Sequence, residues 1–288
     1  MNKGLMNLHS LIYQDESNVA NLSNTKLYAS ILNGHADSNA FNYLLGMTSL
    51  GISDIRALNF YNESGLANQI NASRQLEEIT DGARSVILPK PKNLKGSLVN
   101  ALKSRKSTRA FTNHRMLLTE LSTLLKYTVG LSERSTEDAE GKKSYHRYHS
   151  SGGGLYPITV YCAINDIEGL DNGIYAYRPY THTLELIQSE YDLDLLYENA
   201  PIDTQRSNLS LLFNYDVNRN YLKYGELGLL LAFVETGIMA QNIHLVAKHV
   251  GYSTCDVAGF NKKYAEKTLH LDSINAHVIY SIIIGKER

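Results

Sequence analysis

The chain has 288 residues, enough for one large domain or two small ones with a sizeable core. It is 43% hydrophobic and 20% charged, and its 28 basic residues nearly balance 29 acidic ones, which speaks against bulk binding to nucleic acid or an anionic membrane. Twenty tyrosines and no tryptophan suggest half-wet contact surfaces. The two cysteines, Cys162 and Cys255, have no CxxC partner, so a disulfide scaffold is not expected and a reducing cytoplasm fits. The N-terminal stretch MNKGLMNLHSLIYQDES holds no apolar core of signal-peptide length.

In chain order, residues 1 to about 85 alternate short helical patterns with Asn/Ser-rich breaks and read as a helical extension, 1–87. VILPKPKNLKG follows. Pro89 and Pro91 favour an extended connector there, so the main domain is expected over 88–288. SLVNALKSRKS reads as a helix, and LLTELSTLLKYTVGL as a second one ending near Gly130. The polar run from Ser132 to Ser150 reads as a surface loop, or one that a ligand orders. ITVYCAI is a strand by its β-branched and aromatic content, and Asp171-Asn172-Gly173 is a turn. GIYAYRPYTHTLELIQ is a hairpin turning around Arg178 to Thr183. Residues 190–212 look helical. The apolar stretch from Leu227 to Ala240 carries Glu235, is read as too short for a membrane span, and belongs to a long helix from about Glu226 to Val250. VIYSIIIG is a closing strand. Strands that pair in hairpins between helices indicate an α+β fold rather than a doubly wound parallel sheet.

Four segments carry chemically useful groups. SRKSTRAF offers Arg105, Lys106, Ser107 and Arg109 within five residues, and an Arg/Ser-rich helix start near residue 105 could hold phosphate through paired hydrogen bonds. Taken alone, it is equally a solvated basic stretch. SSGGGLYP puts three glycines ahead of a strand, where backbone can approach a ligand closely. It lacks the GK[ST] of a phosphate-binding P-loop and precedes a strand, unlike the dinucleotide fingerprint. YLKYGELG sets Lys223 beside Tyr224, a pair able to share acid–base work or to lie idle on the surface. VETGIMAQNIHLVAKHVGYSTCDVAGF buries one helical face, and its polar Glu235, Gln241 and Asn242 need partners where they are buried. The backbone from Asp256 to Gly259 could lie beside a cofactor ring. His146 and His149 form HxxH, but no carboxylate or cysteine cluster accompanies them, so no metal site is expected.

In this order, LPKP, ALKSRKSTRAF, SGGGLYPITVY, GIYAYRPYTHTLELI, LKYGELG, ETGIMAQNIHLVAKHVG and the final GKER resemble the nitroreductase-like flavoprotein superfamily, and within it the SagB-type azoline dehydrogenases of thiazole/oxazole-modified peptide biosynthesis. The resemblance runs from about Leu88 to Arg288. It implies a mostly antiparallel central sheet flanked by helices, and a homodimer holding FMN at its interface. Arg105, Lys106, Ser107 and Arg109 match the segment that grips the ribityl phosphate, with Arg288 as a further cation. Ser151, Gly152 and Gly153 match the loop beside the isoalloxazine. Ala258 and Gly259 match the turn facing the reactive flavin nitrogen. Lys223 and Tyr224 match the pair implicated in azoline oxidation, with Tyr224 expected as proton acceptor and Lys223 tuning it, or the two in exchanged roles. Ser150 stands where the family usually has proline before its SGG loop. The implied partners are an azoline-containing precursor peptide and a YcaO-type cyclodehydratase complex. The alternatives are an NAD(P)H-dependent nitro- or quinone reductase of the same fold, or a non-catalytic scaffold subunit of a peptide-modifying complex.

Overall fold

The computed structural model describes residues 39–46, 75, 78, 85–137, 141, 143–198 and 200–288. The chain divides into two compact units, Met1–Ala57 and Leu58–Arg288. Of the first unit, one helix is described, α1 (Asn39–Gly46). Most of the expected helical extension over 1–87 lies outside the described residues.

The second unit is built on a seven-stranded sheet. Its strands are β1 (Ser85–Ile87), β5 (Ile158–Ile164), β7 (Gly173–Arg178), β8 (Thr183–Gln188), β9 (Leu209–Asp216), β10 (Ser253–Asp256) and β11 (Ala276–Gly285). Their order is β1-β8-β7-β5-β9-β11-β10, and every neighbouring pair is antiparallel. The expected α+β class with an antiparallel sheet is therefore present. Two short ribbons complete the strands: β2 (Met116–Leu117) with β6 (Ile167–Glu168), and β3 (Leu131–Glu137) with β4 (Lys143–Arg147).

Helices cover both faces because β5 alternates its side chains. Ile158, Val160, Cys162 and Ile164 join one core with α3 (Leu118–Val129) and α6 (Leu227–His249), through Leu121, Leu124, Leu125, Met239 and Ile243. Ala163 faces the other core, with α4 (Leu193–Leu196) and α7 (Lys262–Thr268) contributing Leu193, Leu196 and Ala265. Two short helices remain, α2 (Leu98–Ser104) and α5 (Tyr221–Tyr224).

Three expectations are corrected. Residues 190–212 are not one helix: α4 is four residues long, and Leu209 onward is β9, whose first seven residues are all buried. A strand covered on both faces shows an unbroken apolar run, which periodicity cannot tell from a buried helix. The run from Ser132 to Ser150 is not a plain loop but mostly the β3–β4 ribbon, whose largely exposed, polar residues give no hydrophobic alternation to read. The third concerns length. The helix holding Leu227–Ala240 extends to His249 and is long and apolar enough to cross a membrane. The core reading rests instead on contact: Glu235, Thr236 and His244 are buried in it beside Ala232, Met239 and Ile243.

Phe213 is wholly buried at the centre of β9, between β5 and β11. Phe213→Ala should lower unfolding free energy by about 3–5 kcal/mol, and Ile87→Ser, at an exposed edge position, by less than about 0.5 kcal/mol. Urea denaturation of the two variants checks this; equal losses would contradict it.

Candidate active site

The expected phosphate segment does not start a helix. Ser97 caps the N-terminus of α2, accepting from the Asn100 amide at 3.4 Å, and α2 ends at Ser104. Arg105 is already extended, at φ −63° and ψ 125°. From there the chain forms a strap across the ends of two strands. Ser107 bridges Thr254 of β10, and the Thr108 amide donates to the Thr254 carbonyl at 2.9 Å. Phe111 bridges Glu287, the Arg288 amide donates to the Ala110 carbonyl at 3.2 Å, and the Thr112 amide to the Lys286 carbonyl at 2.8 Å. The strap is pinned by Phe111, which is fully buried against Gly285; a Cβ there would stand 2.7 Å from the phenyl ring.

Arg105, Lys106, Ser107 and Arg109 thus share one corner with Arg288. Lys106 forms an ion pair with Glu287, which also takes a hydrogen bond from Ser253 Oγ at 3.1 Å and faces Lys248 Nζ at 3.5 Å. The Lys106 hydrogen bond holds the Glu287 carboxyl below the usual carboxylate range. Thr108 Oγ1 is buried with no hydrogen-bond partner among the described residues. Ala258 and Gly259 follow β10 on the same side of the chain's course and are exposed, with the preceding Val257 amide anchored to the Ser281 carbonyl at 2.9 Å.

A second cluster forms around the glycine loop. Gly152–Gly154 make a tight 3-10 turn in which Gly153 takes φ +61°. Ser151 Oγ accepts from the Tyr156 amide at 2.8 Å, and the Ser151 carbonyl from the Gly154 amide at 3.1 Å. A Cβ on Gly153 would lie 2.6 Å from the Tyr224 hydroxyl and 2.9 Å from Lys223 Nζ. A Cβ on Gly152 would lie 3.0 Å from Leu231 of α6. The glycines are therefore what lets the loop meet the Lys223–Tyr224 pair, and this contact brings Ser151, Gly152 and Gly153 together with it.

Asn220 holds the pair in place. It is buried, receives the Tyr215 hydroxyl of β9 at 2.8 Å, and donates through Nδ2 to the Gly228 carbonyl of α6 at 2.8 Å. Its own carbonyl takes the amides of Lys223 and Tyr224 at 3.2 and 2.9 Å. Lys223 Nζ lies 5.4 Å from the centre of the Tyr224 ring. Burial pushes the Lys223 ammonium pKa down and the Tyr224 phenol pKa up.

Two buried pairs escaped sequence reasoning. His149, immediately before the loop, faces Glu235 of α6 at 3.5 Å, both nearly inaccessible, with the Thr128 carbonyl 3.4 Å from Nδ1. Glu235 stood out as a charge in an apolar helix, whereas His149 was weighed only as half of HxxH. His244 meets Asp256 at 2.8 Å and Thr254 Oγ1 on its other ring nitrogen. Gln241 is exposed and carries no such role. Among the described residues, no group of three or more His, Cys, Asp or Glu is placed to hold a metal ion.

The two clusters meet α6 at opposite ends. The glycine loop touches Leu231 near the start of α6, and the strap corner touches Lys248 near its end. Seventeen residues at 1.5 Å each separate them by about 26 Å.

The nitroreductase family profile matches residues 102–286. A Methanocaldococcus jannaschii protein named as a nitroreductase is 30% identical over 172 residues, covering 57% of this chain and 79% of the relative. The microcin B17-processing protein McbC of Escherichia coli is 32% identical over 136 residues, 45% of this chain; the match spans only half of McbC. Among solved structures, a Ralstonia eutropha protein described as a nitroreductase superposes with a TM-score of 0.58 at 26% identity, over 71% of this chain and 90% of that one. A chain of the E. coli microcin synthetase McbBCD complex, solved with truncated pro-MccB17 bound, has the same fold: TM-score 0.53 at 21% identity, over 83% of this chain and 98% of its own. The family profile covers well over half of the sequence, and the archaeal relative is matched over most of its length: the chain belongs to the nitroreductase family.

Proposed function

We propose that this chain is an FMN-dependent dehydrogenase of SagB type, oxidising thiazolines or oxazolines in a ribosomally made peptide to thiazoles or oxazoles. The observation that carries this reading is the contact of the Gly153 turn with Lys223 and Tyr224, which sets an amine and a phenol against exposed backbone. The relationship to McbC, whose name records microcin B17 processing, supports a peptide substrate. The McbBCD complex with its bound pro-peptide supports assembly with a YcaO-type cyclodehydratase and an azoline-bearing precursor.

The residues present fit FMN. The strap corner offers guanidinium, ammonium and hydroxyl groups from Arg105, Lys106, Ser107, Arg109 and Arg288 to a phosphate dianion, and the unpartnered Thr108 Oγ1 adds a donor. Glycines at 152 and 153 leave the backbone after Ser151 without Cβ atoms, and Ala258 and Gly259 are exposed. When bound, FMN supplies the two-electron acceptor for the hydride that the azoline ring gives up.

The chain's own work is positioning and proton transfer. The ring hydrogen on the former α-carbon is acidified by the adjacent imine and carbonyl. Lys223 is the better proton acceptor, since burial favours its neutral amine, while the same burial keeps Tyr224 a phenol able to donate a hydrogen bond. This exchanges the roles first expected for the two residues. Loss of that proton and the neighbouring hydride leaves an aromatic azole.

About 26 Å of α6 lies between the points where it meets the two clusters, a span that a second copy bridges. Leu98, Val99 and Leu102 on α2 and Phe233 and Val234 on α6 are exposed apolar side chains that a second copy covers. A homodimer then offers the strap of one copy to the Lys223–Tyr224 pair of its partner. The buried free cysteines, Cys162 and Cys255, suit a reducing cytoplasm. A nitro- or quinone reductase activity is the second reading, favoured by the archaeal and Ralstonia relatives named as nitroreductases.

Lys223→Ala should keep FMN and lower the rate of azole formation about 100- to 10,000-fold, read by mass spectrometry as failure of an azoline peptide to lose two hydrogens per ring. Lys223→Arg should be equally inactive, since arginine does not give up its proton. Full turnover in the Lys223→Ala and Tyr224→Phe variants would remove the pair from the reaction. With Lys223 as base, kcat/KM should rise as pH passes upward through its depressed pKa and then stay level, because the ammonium form is the inactive one. A profile that falls over that range would contradict this. Gly153→Ala should cost about 1–2 kcal/mol of stability from the left-handed backbone alone and abolish turnover by pushing Tyr224 and Lys223 aside; unchanged denaturation and kinetics would show that the close approach is not needed.

A further inference from the structure

A cavity of about 220 Å³ has polar walls made by Glu78, Arg147, Thr159, Tyr177, Arg178 and Arg219, none of which enters the flavin reading. Two of its three guanidiniums are already engaged. Arg178 donates to Glu185 at 2.6 Å, and Arg219 pairs with Asp216 at 2.8 Å and reaches Thr159 Oγ1 at 3.2 Å. Arg147 is different. It is only 6% exposed, its guanidinium lies over the Tyr156 ring at 4.7 Å, and it makes no side-chain hydrogen bond to any acceptor among the described residues; its Nε is wholly enclosed and unpartnered. An arginine this buried is costly when its Nε has left water with no acceptor in return.

Glu78 faces both Arg147 and Arg178, yet its carboxylate accepts from the Tyr180 amide at 2.8 Å and makes no ion pair with either arginine. Burial pushes its pKa up, so it takes a proton more readily than an ordinary glutamate. Glu185 and Asp216 pair with Arg178 and Arg219, and no carboxylate among the described residues pairs with Arg147. Its guanidinium fork is left to match a planar carboxylate. At about 30 Å³ per water, the volume suits a group the size of an acidic side chain.

We propose that this cavity is a binding site for a carboxylate monoanion, with Arg147 as its ion partner and Arg178 beside it. The site borders the glycine loop. The Arg147 amide donates to the Tyr156 hydroxyl at 3.0 Å, the Tyr156 amide donates to Ser151 Oγ, and Arg219 lies four residues before Lys223. The carboxylate comes from an acidic residue of a bound peptide or from a free small acid. The peptide source rests on the function proposed above; the free-acid source does not.

Isothermal titration of the full chain separates them. The probes are butyrate and N-acetyl-glutamate amide, with butyramide and N-acetyl-glutamine amide as uncharged controls at constant ionic strength. One or both acids should bind one per chain, and the controls should not. Butyrate alone binding identifies a free acid, and the capped glutamate binding identifies a peptide side chain. Arg147→Gln should weaken binding about tenfold or more. Should that variant fail to fold, Arg178→Gln, whose side chain is partly exposed, decides with a loss of several-fold at unchanged thermal melting. Absence of binding by both acids to the wild-type protein, or wild-type affinity in the folded variants, overturns the proposal. Acid binding without azoline oxidation keeps this site and removes the proposed function; oxidation without acid binding does the reverse.

Discussion

The buried side chain of Asn220 ties three elements to one point. Its oxygen takes the Tyr215 hydroxyl from β9, its nitrogen gives to the Gly228 carbonyl at the head of α6, and its backbone carbonyl starts the turn carrying Lys223 and Tyr224. Space there is tight: a Cβ at Gly228 would stand 2.9 Å from the Asn220 side-chain oxygen. The pair therefore hangs from an interior strand and the longest described helix at once. The Gly153 turn meets it from the other side, where β5 is about to begin. Rigid elements on both sides are what a site needs if it is to hold an amine and a phenol in fixed relation to a bound ring.

The charge layout follows the same economy of elements. The strap uses Phe111 as its anchor and the ends of β10 and β11 as its bed, so the cations of SRKSTRAF meet those of the closing GKER. Glu287 sits among Lys106, Lys248 and Ser253 and fixes two of the ammonium groups. A helix long enough to serve as the core's spine necessarily keeps this corner far from Lys223.

Much of the fold was legible because its elements repeat at their own period. The sequence reading places β5, the β7–β8 hairpin, α6 and β11 with boundaries within a residue or two. It misses β10, which has four residues and no long apolar run, and it turns β9 into a helix because burial on both faces erases alternation. In the site, the order of the motifs was informative while their local geometry was not. The segment after residue 105 runs beside Lys286–Arg288, but it follows a helix rather than begins one. The contact between Gly153 and Tyr224 spans seventy-one positions, and no pattern within either segment reports it. His149 with Glu235, and His244 with Asp256, were hidden for the same reason.

The central claim is that electrons leave an azoline ring and enter a flavin held by this chain. Anaerobic mixing of the purified protein with an azoline-containing peptide, followed by its visible absorption spectrum, tests it most directly. The account predicts that the oxidised flavin band bleaches as the peptide loses two hydrogens per ring. A flavin band that bleaches with NAD(P)H and stays unchanged with the peptide would contradict it.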